Sequence, residues 1–354
     1  MEKKINVGII GCGRVALHYV KLIKENRIKH TSISCLSDIV ISKAKNLSKM
    51  IGGKVYKDYT KMILENKIKV ALVLTPSGTH YQICKKLLEH NINVICEKPL
   101  TMTPAKSLEL YKIAKKKKIM CGVVFQNRFN PAIKILKEAV DKNRFGKIVK
   151  VSVSLLWCRF QKYYNDGWHG TWKNDGGVIN QQAIHHIDVM RWIFGPIKKV
   201  SSIMTKRLNK LQAEDTTSAI VEFKNGSLGN IEATTSARPR DYQASLTVIG
   251  EKGTVIIGGI ALNQIKVWEF KNENSKKVIK RFSQKVPNGY GLSHIDYLNK
   301  VFSDLANKSF QAPVSAYEAY LTTKLIHALY VSNERRKWVY LNSNLVSRNL
   351  GLNN

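Results

Sequence analysis

Gly8-Ile-Ile-Gly11-Cys-Gly13-Arg-Val-Ala16 runs straight out of an apolar stretch and into a helical pattern. Gly11 permits a tight turn, Gly13 lets backbone approach a pyrophosphate, and Ala16 allows close helix packing. The helix N-terminus, with Arg14 and Val15 in its first turn, favours the anion. Asp38 closes the next apolar stretch, where a carboxylate accepts the ribose hydroxyls of a dinucleotide. No arginine follows Asp38 directly, so NAD is expected over NADP, with Lys43 the cation nearby that a 2′-phosphate would find.

Outward from this turn, Val7–Ile10, Ile33–Leu36, Val70–Leu74, Val94–Cys96 and Met120–Val124 read as short strands separated by amphipathic stretches. That alternation predicts βαβ units in a doubly wound parallel sheet, an α/β Rossmann domain over residues 1–125. The period changes at Lys147: Val149, Val151, Val153 and Leu155 alternate with Lys150, Ser152 and Ser154. Further strands are expected at 217–223, 228–235, 244–249 and 253–257, with Asn225-Gly226 and Glu251-Lys252-Gly253 as hairpin turns. Residues 126–354 are thus expected to form an α+β domain with an open, mostly antiparallel sheet and helices near 178–194, 291–307 and 315–333.

The formal charge of +33 attracts polyanions and raises the question of nucleic acid. The lysines are dispersed, with one short run at Lys115–Lys118, and no base-reading motif is present. A Lys/Asn/Ile-rich composition, with attraction of an anionic substrate second, is the expected origin, and no specific nucleic-acid partner is expected. Six cysteines without Cys-x-x-Cys spacing imply reduced thiols and a cytoplasmic protein. No metal site is expected. No apolar run approaches the roughly 20 residues a membrane helix needs.

Loops at the carboxyl ends of parallel strands face the ligand crevice. Here these are Thr75-Pro76-Ser77-Gly-Thr-His80 and Glu97-Lys98-Pro99-Leu100. Together with Gln126-Asn127-Arg128-Phe129 and with Asp175-Gly176-Gly177 ahead of His185-x-x-Asp188, they carry a resemblance to the Gfo/Idh/MocA oxidoreductases over nearly the whole chain. The resemblance implies a catalytic Lys98 beside the nicotinamide and His185 as general acid/base. It places Thr75, Pro76, Ser77, His80, Glu97, Lys98 and Gln126 with Gly11, Gly13, Arg14, Val15 and Asp38 around the cofactor. The chemistry agrees: hydride removal from an alcohol carbon needs a group to take the hydroxyl proton and a cation to stabilise developing alkoxide. On one continuous helix Gln181 and His185 would share a face, Asp188 would orient the imidazole and His186 would point away.

A second set of motifs is similar to the branch of that family that oxidises UDP-2-acetamido-2-deoxyglucuronate at C3 for surface polysaccharide synthesis. It comprises Phe125–Pro131, Arg159-x-Gln161-x-Tyr163-Tyr164 and Trp168-His169-Gly170-Thr171-Trp172 through Gly177. Polar groups among aromatics suit a sugar. The expected substrate set is Arg128, Asn130, Arg159, Gln161, Tyr163, Trp168, His169, Thr171, Trp172, Asn180, Gln181, His185, Arg238, Arg240 and His294. Many polyol dehydrogenases of the family carry Asp where Gln181 stands, which weighs against a simple inositol site. The branch also implies a homo-oligomer, tetramer or dimer, and a 2-oxoacid that reoxidises the cofactor. Rival readings are an enzyme for a free sugar or polyol and a non-catalytic NAD-binding regulator.

Overall fold

The computed structural model describes residues 4–342 and 344–351. The chain divides into two compact units. The first comprises the residues up to Val124 together with His294–Leu321, and the second Phe125–Ser293 with the residues from Thr322 on.

In the first unit the strands β1 (Ile5–Ile10), β2 (Thr31–Ser37), β3 (Lys54–Tyr56), β4 (Val70–Val73), β5 (Asn93–Cys96) and β6 (Cys121–Val123) alternate with α1 (Arg14–Lys24), α2 (Ile41–Ile51), α3 (Tyr59–Glu65), α4 (His80–Glu89) and α5 (Pro104–Lys117). The sheet order is β3-β2-β1-β4-β5-β6, with every pair parallel. Helices cover both faces, so the central strand β4 is apolar throughout, and every one of its residues is fully buried. The strand order reverses between β1 and β4, and the carboxyl ends there open the crevice in which such sheets bind ligands.

The second unit holds β7 (Ile148–Leu156), β8 (Ile197–Thr205), β9 (Thr216–Phe223), β10 (Leu228–Thr234), β11 (Gln243–Gly250), β12 (Gly253–Gly258), β13 (Gln264–Phe270) and β14 (Val339–Tyr340). They form one sheet in the order β13-β12-β11-β7-β10-β9-β8-β14, antiparallel except for the β7–β10 pair. The helices α6 (Pro131–Asp141), α7 (Gln161–Tyr164), α8 (Val178–Gln181), α9 (Ile184–Phe194) and α10 (Ser275–Phe282) also lie in this unit. α9 packs on the face carrying Val151, Val153 and Leu155, and a Cβ on Gly229 would lie 2.5 Å from Met190 Cε. Among the described residues of this unit, the side chains of the opposite face are half-buried or exposed. One cross-strand row there reads Ser201, Ile220, Asn230, Ser152, Thr247 and Ile256.

Two expectations change. Residues 126–354 are not one continuous domain, because α11 (Ser293–Ala306) and the start of α12 (Ala316–Arg335) return to the first unit. The reason is local. Gly122 bridges to Ser315, and Val123 N–H donates to Val314 O at 3.0 Å. A Cβ on Gly122 would come within 3.1 Å of Ala312 Cβ. The helix expected over 178–194 is also broken. Ala183 N–H donates to Val178 O, five residues back, and α9 starts afresh at Ile184. Gln181 and His185 therefore do not share the face that one continuous helix would give them.

Candidate active site

Gly11 has φ +90° and a Cβ there would lie 2.7 Å from the Leu74 carbonyl carbon, so only glycine lets the turn pass the end of β4. Gly13 faces open space where a Cβ would stand, and it precedes α1 without any side-chain cap on the helix N-terminus. Exposed Arg14 and half-buried Val15 open that helix, while Ala16 is fully buried. Uncapped amides beside an open glycine make the cradle a pyrophosphate fills. Asp38 follows β2. Its Oδ2 accepts from Cys12 N–H at 2.7 Å and its Oδ1 from Val40 N–H at 2.8 Å, so the carboxylate is fixed at the rim of the cradle. Burial, together with Asp38, pushes the Cys12 thiol up to about 12 and keeps it protonated.

The loop after β4 carries half-buried Thr75 and Pro76 and buried Ser77, with Thr79 Oγ1 donating to Thr75 Oγ1 at 2.8 Å. His80 is buried at 1% exposure, and its ring nitrogens lie 2.8 Å from Pro99 O and 2.7 Å from Thr75 O. Glu97 is also buried. Its Oε1 accepts from Tyr19 Oη at 2.5 Å and its Oε2 from Lys98 N–H at 3.3 Å, and burial raises its pKa. His80 and Glu97 therefore brace the loops that were expected to border the cofactor. Lys98 is half-buried at the carboxyl end of β5, and its bond to Pro99 is cis. His294 is buried in this same unit, its ring 5.6 Å from Tyr19 and 5.4 Å from His18, and so is packed among side chains of α1.

In the second unit the expected substrate residues separate. The buried Arg128 lays both arms of its guanidinium on Asp188 at 2.7 Å and its face over Trp192 at 4.9 Å. Asp188 also accepts from Thr322 Oγ1 at 2.7 Å. A buried guanidinium needs such a partner, so Arg128 is a core ion pair, and Asp188 serves it. Asn130 Nδ2 donates to Ala261 O at 2.8 Å, and its Oδ1 accepts from Ser293 Oγ. Arg238 spends its donors on the carbonyls of Ala237 at 2.9 Å, Arg159 at 3.0 Å and Thr235 at 3.2 Å. Asn180 is buried and donates to Asp175 O at 2.6 Å. These four side chains hold protein groups where sugar contacts were expected.

The loop from Arg159 to Trp172 keeps an aromatic and polar character. Arg159 donates to Asp241 at 3.0 Å beneath the Trp157 ring, and Gln161 exchanges hydrogen bonds with the backbone of Lys210. The rings of Trp168 and Tyr163 lie 3.6 and 4.1 Å from that of His169, whose Nδ1 meets Asp166 Oδ2 at 2.5 Å. Thr171 Oγ1 donates to Trp168 O, and Trp172 N–H to Gln212 Oε1. A cavity of about 630 Å³ opens beside this loop, lined by Tyr164, His169, Thr171, Lys206, Lys210 and Gln212 among others. Lys206, Lys210 and Gln212 escaped the sequence reading, since lysine is too common here to stand out. Exposed Arg240 stacks on Tyr242 at 5.7 Å. His185 is half-buried with its ring edge-on to Phe125 at 5.9 Å, whereas His186 is buried and held down to about 4 by that burial. Gln181 is buried, as is Gln126, whose Oε1 has no hydrogen-bond partner among the described residues.

The α8 N-terminus rests on Glu214, also unforeseen. Its Oε1 accepts from Ile179 N–H at 3.1 Å and from Tyr330 Oη at 3.0 Å, and burial raises its pKa to about 7. A Cβ on Gly177 would lie 2.2 Å from that carboxyl, which explains the second glycine of Gly176-Gly177.

The sheet order, glycine turn and fixed aspartate define a dinucleotide-binding domain. Residues 5–125 match the oxidoreductase family with the NAD-binding Rossmann fold, and residues 133–256 match the GFO/IDH/MocA C-terminal domain. The chain belongs to the GFO/IDH/MocA family and is an NAD-dependent sugar oxidoreductase. The WlbA dehydrogenase from Chromobacterium violaceum, solved in complex with NADH and UDP-GlcNAcA, is 30% identical with a TM-score of 0.89 over 96% of both chains. WlbA from Bordetella pertussis, solved with the same two molecules, is 26% identical with a TM-score of 0.90, covering 97% of this chain and 99% of that one. The scyllo-inositol 2-dehydrogenase (NAD(+)) of Bacillus subtilis is 24% identical over 82% of this chain and 84% of its own length. Among the described residues no helix is long and apolar enough to cross a membrane, and no group of three or more His, Cys, Asp or Glu is placed to hold a metal ion.

Proposed function

We propose that this chain oxidises a UDP-linked N-acetylated glucuronate at C3, giving a 3-keto nucleotide sugar for surface polysaccharide synthesis. The observation that carries the reading is the stacked loop Tyr163–Trp168–His169, braced by Asp166, beside a cavity lined by Lys206 and Lys210. Aromatic faces suit the sugar and the lysines suit diphosphate or carboxylate. The likeness to two WlbA dehydrogenases solved with UDP-GlcNAcA points the same way.

NAD, held by the glycine turn and Asp38, supplies the hydride acceptor when bound. His185 takes the proton of the hydroxyl being oxidised, and Lys98 stabilises the negative charge that builds on its oxygen. A 2-oxoacid reoxidises the cofactor in the same site. We further read the protein as a cytoplasmic homo-oligomer assembled through that half-buried to exposed sheet face, with exposed Ile203, Ile220 and Leu228 on it. The second reading, oxidation of a free polyol, is favoured by the inositol dehydrogenase relatives.

The deciding experiment follows NADH absorbance with UDP-N-acetylglucosaminuronate, UDP-N-acetylglucosamine, glucuronate and myo-inositol. Turnover confined to the first compound is the expected result. Turnover on inositol at least tenfold faster than on any UDP-sugar would replace this reading with the second.

A further inference from the structure

His80 stands where two loops of the first unit meet. Its Nε2 lies 2.7 Å from the carbonyl of Thr75, which leaves β4, and its Nδ1 lies 2.8 Å from the carbonyl of Pro99, the residue after Lys98. The ring is 1% exposed and Pro99 is buried, while Thr75 is half-buried. A buried carbonyl left without a donor costs on the order of 1–3 kcal/mol, so each contact constrains the loop that provides it. A neutral imidazole has one N–H and meets only one of the two carbonyls fully. The doubly protonated ring meets both, although burial holds the pKa of His80 below its ordinary value.

We infer that His80 is a positioning residue with two separable duties: through Pro99 it sets the place of the Lys98 amine, and through Thr75 it sets the loop that borders the dinucleotide. The inference rests on the reading of Lys98 as the group beside the reacting oxygen, and of the Thr75 loop as part of the cofactor site. The rest of the environment fits a brace. Thr79 closes the Thr75 loop on itself through Thr75 Oγ1 and Pro76 O, and Glu97 receives the Lys98 N–H, so both loops have their own internal bonds and His80 joins them. Misplacing a catalytic group by about 1 Å costs on the order of 10²-fold in rate, so the Pro99 contact acts on turnover while the Thr75 contact acts on cofactor affinity.

Side-chain amides separate the two. The amide nitrogen of Asn stands two bonds from Cβ, as Nδ1 does, and that of Gln stands three bonds away, as Nε2 does. His80→Asn keeps the donor to Pro99 and gives up Thr75, whereas His80→Gln does the reverse. Two readouts are taken on the full chain: the dissociation constant for NAD, and the rate of reductive methylation of Lys98 with NAD saturating, read by mass spectrometry. Losing one hydrogen bond of about 1 kcal/mol is about a fivefold effect. His80→Asn should weaken NAD about fivefold and leave Lys98 methylation as in the parent protein. His80→Gln should leave NAD affinity within about twofold and change Lys98 methylation by a similar fivefold. His80→Ala should lose both, and added imidazole should restore at least one. Identical behaviour of the Asn and Gln variants in both readouts, or no response of His80→Ala to imidazole, would overturn the inference. Neither readout requires the sugar. Lys98→Met with undiminished turnover would therefore overturn the role given to Lys98 and leave the two duties of His80 separately decided.

Discussion

The backbone N–H of Cys12 donates to Oδ2 of Asp38 at 2.7 Å, tying the middle of the glycine turn to the residue that follows β2. A carboxylate held in this way cannot swing aside for a 2′-phosphate, and its charge repels one. NAD should bind at least tenfold more tightly than NADP. Asp38→Ala should narrow that ratio and weaken NAD about tenfold, through lost ribose contacts and a loosened turn. Fluorescence titration with both nucleotides measures this, and tighter binding of NADP by the parent protein would refute it.

Lys98→Met and His185→Asn should each lower turnover by about 10²–10⁴-fold, because each removes a group acting on the hydroxyl being oxidised. NAD affinity should stay nearly constant in both. The double variant should be little worse than the poorer single one, since both groups serve one proton and one oxygen. Stopped-flow formation of NADH separates these effects from product release, and a His185→Asn enzyme of ordinary speed would move attention to Tyr163 or His169.

Arg128 and Asp188 make a stability prediction instead of a substrate one. Removing either partner strands a buried charge, which costs roughly 3–5 kcal/mol. Arg128→Met and Asp188→Asn should both lower the melting temperature markedly, and Arg128→Met with Asp188→Leu should recover part of the loss. Were Arg128→Met as stable as the parent but weaker for substrate, the expected sugar contact would be reinstated.

Glu214 and His186 give the folded chain opposite responses to pH. Glu214 is raised from 4.5 to about 7, so the folded state favours its neutral form. Its contribution is complete below pH 4.5 and is lost as pH rises through 7. His186 is lowered from 6.5 to about 4, and its contribution is complete above pH 6.5 and lost as pH falls towards 4. The two windows overlap between pH 4.5 and 6.5, where the opposite slopes offset each other, so Glu214→Gln should unmask a stability that rises with pH there, by about 3 kcal/mol at most. Thermal melts between pH 4 and 8 test the sign, and a Glu214→Gln profile that runs parallel to the parent's between pH 4.5 and 7 would exclude Glu214 as a source of the slope.

The parallel sheet was legible because Val7–Ile10 of β1, β4 and Val94–Cys96 of β5 are buried and read as apolar runs, and β7 because its burial alternates. β3, with only Lys54, Val55 and Tyr56, is too short to show a period. β13 sets Lys266 directly after buried Ile265 and Glu269 directly after buried Trp268, which hid it. Gly11 and Gly13 were readable because their use is a matter of backbone. What Arg128, Asn130 and Arg238 bond to was not legible, for the opposite reason. A guanidinium or amide in a conspicuous motif does not reveal whether its partner is a ligand or, as here, a carboxylate or carbonyl brought close by folding: Asp188 for Arg128, Ala261 for Asn130 and Arg159 for Arg238.

Val314 and Ser315 complete the edge of the sheet that ends at Gly122 and Val123. A ribosome making this protein at about 5–20 residues per second releases the first six strands about ten to forty seconds before their last neighbour emerges. During that interval the nascent dinucleotide-binding half has a bare strand edge beside Gly122, open to pairing with another growing chain. Synthesis must therefore carry through most of the second unit before the first is finished, and a gene fragment cut after codon 125 would keep that edge open permanently.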